Sequence, residues 1–182
     1  MRIISGTHKA KRIAAPKKLP VRPTTDMAKE ALFNILNNRY YFDEISVLDL
    51  FSGTGNIAYE FASRGTGRIT AVDNHYGCVK FINETSEALE FPINAIKANV
   101  FDYLEKSMGK EDIIFADPPY DMELAEFEKI PNLVFKRKML QANGALIIEH
   151  ASHMDLSHLD HFSEKRKYGG SVFSFFDNGG TP

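Results

Sequence analysis

A chain of 182 residues, 43% apolar and 25% charged with a net charge of −2, suits one globular domain with a substantial core and at most a small appendage. No run approaches the roughly 18 apolar residues of a membrane helix, and the first fifteen residues are too charged for a secretory signal, so a cytoplasmic protein without a membrane partner is expected. Cys78 is the only cysteine, which excludes an internal disulfide and argues against a thiolate zinc site.

Arg2-Ile3-Ile4-Ser5 and Arg12-Ile13-Ala14-Ala15 are short extended candidates on either side of a polar segment with Gly6, and they predict a hairpin. Residues 1–30 carry eight Lys or Arg (Arg2, Lys9, Lys11, Arg12, Lys17, Lys18, Arg22, Lys29) against Asp26 and Glu30, a local charge of +6 that leaves −8 on the remainder. Such an arm is a plausible landing site for a polyanion; a merely solvated charged end is the alternative. Pro16, Pro20 and Pro23 keep the next stretch out of helix, and Thr25 or Asp26 can then cap a helix with the stripe Ala28, Ala31, Leu32, Ile35 and Leu36.

Val47, Leu48 and Leu50 form a buried-strand run, and Ser52-Gly53-Thr54-Gly55 turns from it into a helix whose inner face is Ile57, Ala58, Phe61 and Ala62. A strand over 68–73 ends on Asp73, and a helix follows with Val79, Ile82, Ser86 and Leu89 on one face, stopped by Pro92. Strand 94–98 leads to Asn99-Val100 and a short helix over 101–106, and strand 112–116 leads to Asp117-Pro118-Pro119-Tyr120. The acidic segment 121–128 reads as loop and 133–140 as helix. Asn143-Gly144 reads as a turn into strand 145–149, and strands 162–168 and 172–176 close the chain as an antiparallel pair about Gly169-Gly170. Strands alternating with helices predict a doubly wound α/β sheet with right-handed crossovers, and the terminal pair favours the seven-stranded, Rossmann-like class I methyltransferase version. The expected units are a basic arm over 1–24, a cofactor-dependent domain over 25–177 and a frayed tail over 178–182.

Gly53-Thr54-Gly55-Asn56-Ile57-Ala58 satisfies a loose G-x-G-x-x-G/A pattern, with Asp73 about 20 residues on, where a ribose-binding acid belongs. NAD and S-adenosylmethionine both carry that ribose, so the pattern alone does not separate them. In a methyltransferase, Asp49 lies near the ammonium of the cofactor's methionine end, and Asn99 and Val100 meet the adenine edge. Phe51, Gly53, Gly55, Asn56, Asp73 and Asn74 complete the expected cofactor wall, which Asp117 also reaches. Capping of the turn by Asp49, an ordinary strand-end role for Asp73 and a plain turn role for Asn99 are the alternatives.

A nucleobase amino nitrogen is a weak nucleophile because its lone pair is conjugated with the ring. Asp117 and the Pro118 carbonyl can accept its two hydrogens and stabilise charge developing on nitrogen. Pro118 and Pro119 stiffen the turn without a competing N–H, and Tyr120 can stack on the base. His150, His153, His158 and His161 match no standard metal spacing, and no metal is expected. Cys78 and the Phe173, Phe175, Phe176 cluster read as core.

With these residues in place the sequence resembles the RsmD family, the bacterial 16S rRNA guanine-N2 methyltransferases of guanine 966. The resemblance rests on Arg2-Ile3-Ile4-Ser5-Gly6, Arg22-Pro23-Thr24-Thr25-Asp26, Glu30 with Phe33-Asn34, Asp49 through Gly55, Asp117-Pro118-Pro119-Tyr120 and Lys167-Tyr168-Gly169. It implies S-adenosylmethionine as donor and one small-subunit rRNA guanine, within a partly or fully assembled 30S subunit, as acceptor. It further implies that Arg2, Lys9, Lys11, Arg12 and Arg22 hold phosphates, while Arg22, Thr24 and Thr25 wall the site. Ribosomal proteins can add contacts, and a monomer suffices. The family's arm commonly reads Gly-x-Trp-(Arg or Lys)-Gly, where this chain has Gly6, Thr7, His8, Lys9 and Ala10; His8 can still stack on RNA. Adenine-N6, cytosine-N4 or another guanine-N2 methyl transfer, a non-catalytic RNA-binding assembly factor and a dinucleotide oxidoreductase are the competing functions.

Overall fold

The computed structural model describes residues 1–19 and 24–179. Its centre is β1 (Ser46–Leu50), buried along its whole length, with β2 (Arg68–Asp73) on one side and β4 (Glu111–Ala116) on the other. With β3 (Ile93–Lys97), β5 (Leu140–Ala151), β6 (Phe162–Tyr168) and β7 (Ser171–Asp177), a seven-stranded sheet runs in the order β3-β2-β1-β4-β5-β7-β6. The first five strands are parallel, and β7 inserts antiparallel between β5 and β6. Strand order reverses between β1 and β4, which opens a crevice at their carboxyl ends.

Alternating side chains send each strand into two cores. Val47, Ile113 and Phe115 pack with Leu32 and Phe33 of α1 (Asp26–Asn37), Phe61 of α2 (Asn56–Ser63) and Ile82 of α3 (Tyr76–Ala88). Leu48, Leu50, Ile114 and Ile148 pack with Leu104 of α4 (Val100–Lys106) and with Phe127, Ile130 and Val134 of α5 (Leu124–Lys136). Asp49 shares the face of Val47 and so points toward the α2 layer. No helix among the described residues is long and apolar enough to cross a membrane.

Two expectations change. The helix expected over 133–140 is α5, which starts at Leu124 inside the acidic segment and contains Pro131. Its stripe Phe127, Ile130, Pro131 and Val134 is buried, and that burial outweighs the backbone hydrogen bond that proline removes. Leu140 belongs instead to β5, and Asn143-Gly144 lies within that strand, where pairing with β4 slips between Glu111 and Ile113. The hairpin expected of the arm is present: Arg2 and Arg12 form an antiparallel bridge, flanked by hydrogen bonds from Ile3 N–H to Lys11 O at 2.9 Å and from Ile13 N–H to Met1 O at 3.0 Å. Its Ile3 and Ile13 are buried in the same core as α1 and α2.

Candidate active site

Glycine-rich backbone geometry shapes the exit of β1. Phe51 sits at φ 56, Gly53 at φ 52 and Gly55 at φ 83, so three residues in five use the left-handed region. Phe51 does so against the preference of a residue with a Cβ, held edge-on to Phe101 with ring centroids 6.3 Å apart. Gly53 N–H donates to Asp73 Oδ2 at 2.8 Å, and His75 N–H donates to Oδ1 at 2.8 Å. Asp73 thereby staples the glycine turn to the start of α3, and each oxygen keeps a lone pair for a ligand. Gly55 caps α2 but is absent from the cavity wall. A Cβ there would lie 2.9 Å from the Tyr59 ring and 3.0 Å from Ile82, so this glycine serves packing and the turn.

A cavity of about 600 Å³ opens above these strand ends. Asp49, Phe51, Gly53 and Asn56 line it from β1 and its turn, Asp73 and Asn74 from β2, and Asn99 and Val100 from the exit of β3. Asp117, Pro118, Pro119 and Tyr120 line it from β4, and Thr24 from the segment before α1. Ser52, Thr54, Ile57, His75, Cys78, Phe101, Phe115, Met122 and Glu126 also line it and were not anticipated. Most adjoin anticipated residues, and Phe115 lies two before Asp117 on one strand face. Met122 and Glu126 carried no signal, because their stretch read as loop.

Asp49 gives the cavity its charge logic. It is 2% exposed, its Oδ2 has no hydrogen-bond partner among the described residues, and burial, reinforced by the charge of Asp73, pushes its pKa up to about 8. The backbone N–H of Ala58 pulls the other way. Ser52 Oγ is likewise buried without a partner among the described residues. A buried carboxyl in the wall of a cavity that has no Lys or Arg among its described lining residues fits a ligand that brings an ammonium group. Asn99 proves to be the cap of α4: its Oδ1 accepts from Phe101 N–H at 2.9 Å and Asp102 N–H at 3.3 Å. Its amide NH₂ is what it can offer an adenine ring nitrogen. Asp117 N–H donates to Leu50 O at 3.3 Å, tying the exit of β4 to β1, and Met122 N–H closes the next turn on Pro119 O at 3.0 Å. Pro118 is buried and Tyr120 is 38% exposed, so the loop has a fixed root and an open aromatic tip.

The amino-terminal residues divide into supports and exposed cations. Lys29 is 1% exposed: its Nζ donates to Arg2 O at 2.6 Å and Asn56 Oδ1 at 2.8 Å and lies 3.5 Å from Glu60. Burial pulls its pKa below the usual value, with Glu60 acting the other way. Lys29 is therefore internal and no part of a polyanion surface. Asn56, though on the wall, also donates to Thr24 O at 3.2 Å and is largely a structural bridge. Arg2 pairs with Asp26 at 3.1 Å, Thr25 caps α1 by accepting from Ala28 N–H at 3.2 Å, and His8 packs edge-on against Phe91 at 4.7 Å. Each of these three thus has a job within the protein. Arg22 lies outside the described residues. Lys9, Lys11 and Arg12 are exposed. A second cleft, lined by Met1, Arg2, Arg12, Thr24, Thr25 and Asp26, shares Thr24 with the large cavity.

A family model described as conserved hypothetical protein 95 matches residues 1–177. The chain belongs to this family. Among its relatives is ribosomal RNA small subunit methyltransferase D of Buchnera aphidicola subsp. Baizongia pistaciae, 31% identical over 150 residues that cover 82% of this chain and 75% of the relative. The protein of the same name from Haemophilus influenzae is 26% identical over 154 residues, covering 82% and 78%. A solved structure of a hypothetical protein from Thermus thermophilus superposes with a TM-score of 0.83 at 23% identity, over 97% of this chain and 99% of that one. Sheet order and neighbours together make this the class I, Rossmann-like methyltransferase fold. Ala10 of the arm adopts φ 67, a conformation that suits glycine.

Proposed function

We propose that this protein transfers the methyl group of S-adenosylmethionine to the exocyclic N2 of one guanine in small-subunit rRNA, the position expected from the RsmD resemblance. The single observation that carries the reading is one continuous cavity joining buried Asp49, whose Oδ2 has no partner among the described residues, to the Asp117-Pro118-Pro119-Tyr120 loop. When bound, the cofactor supplies an electrophilic methyl on a sulfonium. Asp49 faces its ammonium, Asp73 its ribose hydroxyls, and Asn99 and Val100 its adenine. Tyr120 stacks on a guanine that has left its local stack. Asp117 and the Pro118 carbonyl accept the two amino hydrogens, so that the nitrogen lone pair turns from the ring toward the methyl. Asp117 or water would take the proton that the amino nitrogen gives up on methylation.

In this reading residues 1–24 dock RNA through Lys9, Lys11 and Arg12, residues 25–177 carry the chemistry, and a cytoplasmic monomer works on a partly assembled 30S subunit. The cleft beside Arg12 and the cavity share Thr24, which gives a strand lying on the arm a route to Tyr120. The test is tritium transfer from labelled S-adenosylmethionine into 30S subunits lacking this modification, followed by nucleoside and site mapping. N2-methylguanine at a single 16S position is expected. N6-methyladenine, N4-methylcytosine or transfer only to DNA overturns the substrate; tight cofactor binding without any transfer leaves a binding factor.

A further inference from the structure

Glu149 is 2% exposed at the carboxyl end of β5, one residue past Ile148, which pairs with Ala116 just before Asp117. A carboxylate in such a place carries a desolvation cost of several kcal/mol unless it is well bonded. Thr24 Oγ1 donates to its Oε2 at 2.9 Å and Ser171 Oγ donates to its Oε1 at 2.7 Å. Thr24 is gripped at a second point, since its backbone carbonyl accepts from Asn56 at 3.2 Å. It also lines the cavity together with Asp117 and Tyr120. A hydroxyl whose proton is committed to Glu149 has only lone pairs left for a ligand.

We propose that Glu149 is a positioning residue that orients the Thr24 hydroxyl as a hydrogen-bond acceptor, and that Thr24 thereby selects guanine through its N1–H. The inference rests on the guanine-N2 reading above and deepens it. Guanine alone among the common bases places its amino group beside a ring N–H. In adenine and cytosine the ring nitrogen beside the amino group is an acceptor and meets the Thr24 lone pairs with repulsion. Asp117 and Pro118 recognise an amino group on any base, so the discriminating contact has to come from another part of the wall, and Thr24 supplies one with fixed polarity.

The test uses 30S subunits reconstituted with the target guanine or with 2-aminopurine in its place, which keeps the 2-amino group and lacks N1–H. Wild-type protein is expected to methylate guanine at least tenfold faster, in kcat/KM, than 2-aminopurine. Thr24→Val should lower the guanine rate by a much larger factor than the 2-aminopurine rate and so close the gap between the two bases, whereas Thr24→Ser should keep the preference. Glu149→Gln, whose amide can donate to Thr24 and turn its proton toward the cavity, should narrow the preference rather than depress both rates equally. Comparing two proteins on two bases isolates the coupling between Thr24 and N1–H. A Thr24→Val protein that still prefers guanine tenfold overturns this inference and leaves the guanine-N2 reading standing. A wild-type protein that binds the cofactor and methylates neither substrate overturns both.

Discussion

If Asp49 receives the ammonium of the cofactor, as proposed, cofactor binding is coupled to a proton. The ordinary Asp49 pKa of 3.8 rises to about 8 in the folded protein, so between these values the folded state holds a proton that the unfolded chain has released. Its contribution to stability in the cofactor-free protein is therefore complete below 3.8 and lost as pH rises through about 8. An ammonium group placed beside Asp49 favours the carboxylate, so binding of S-adenosylmethionine should expel that proton. Calorimetry in buffers of different ionisation enthalpy is expected to show close to one proton released per cofactor at about pH 6, with the release falling as pH rises through about 8. No release at the lower pH would sink the assignment of Asp49. Asp49→Asn should abolish the release and weaken cofactor binding at least tenfold, about 1.4 kcal/mol. Asp49, Asp73 and Asp117 were legible in the sequence because each ends an apolar strand next to a turn, a place where a carboxylate has few bland uses. Glu149 also ends such a strand, yet no turn motif follows it, and its partners Thr24 and Ser171 are far away in sequence. Lys29 was misjudged for a related reason: a charge count cannot tell a solvated lysine from one enclosed by Glu60 and Asn56.

At the scale of elements, the arm is fastened to α1 and α2 by buried polar groups rather than by strand pairing. Glu60 is fully buried in α2; its Oε2 accepts Ile4 N–H at 2.8 Å, and its Oε1 accepts Ser5 N–H at 3.0 Å and Arg64 Nε at 2.8 Å. Glu60→Ala removes these acceptors and leaves Lys29 without its carboxylate, so a loss of roughly 3–5 kcal/mol is expected in denaturant unfolding. Lys29→Met leaves Glu60 with three remaining donors and should cost less, and an equal or larger loss for that variant would contradict this account of the network. Ala10→Gly, which relieves a left-handed alanine, should instead stabilise the folded arm by up to ~1 kcal/mol. The strands and α1 to α4 were readable because apolar period and turn residues agreed. Of the fifth helix only the end was, since the acids of 121–128 argued locally for a loop, while the decisive stripe of Phe127, Ile130 and Val134 counts only once the layer beneath β4 and β5 exists.

In the proposed reading the whole molecule separates chemistry from docking: the cavity lies at the sheet's carboxyl edge, and the arm beside it carries a local excess of positive charge. The +6 of residues 1–30 overstates that charge, because Lys29 is internal and Arg2 is paired with Asp26. What remains exposed includes Lys9, Lys11, Arg12, Lys17 and Lys18. If the cleft beside Arg12 guides rRNA toward Thr24, each phosphate contact should release about one counterion, and the slope of log affinity against log salt counts the contacts. Lys11→Ala with Arg12→Ala is therefore expected to reduce that slope by roughly 1.5 to 2 for 30S subunits, while affinity for S-adenosylmethionine stays at the wild-type value because neither residue lines the cavity. The weakening should be greatest at low salt and converge with wild type as salt rises, since screening removes the interaction the two cations supplied. A loss of affinity that stays constant across salt would mean that the substitutions had disturbed the arm's packing through Ile13 instead of its charge. An unchanged slope together with unchanged affinity would move the RNA path to another face of the sheet, with β6, where Lys165, Arg166 and Lys167 are exposed, as the next surface to test.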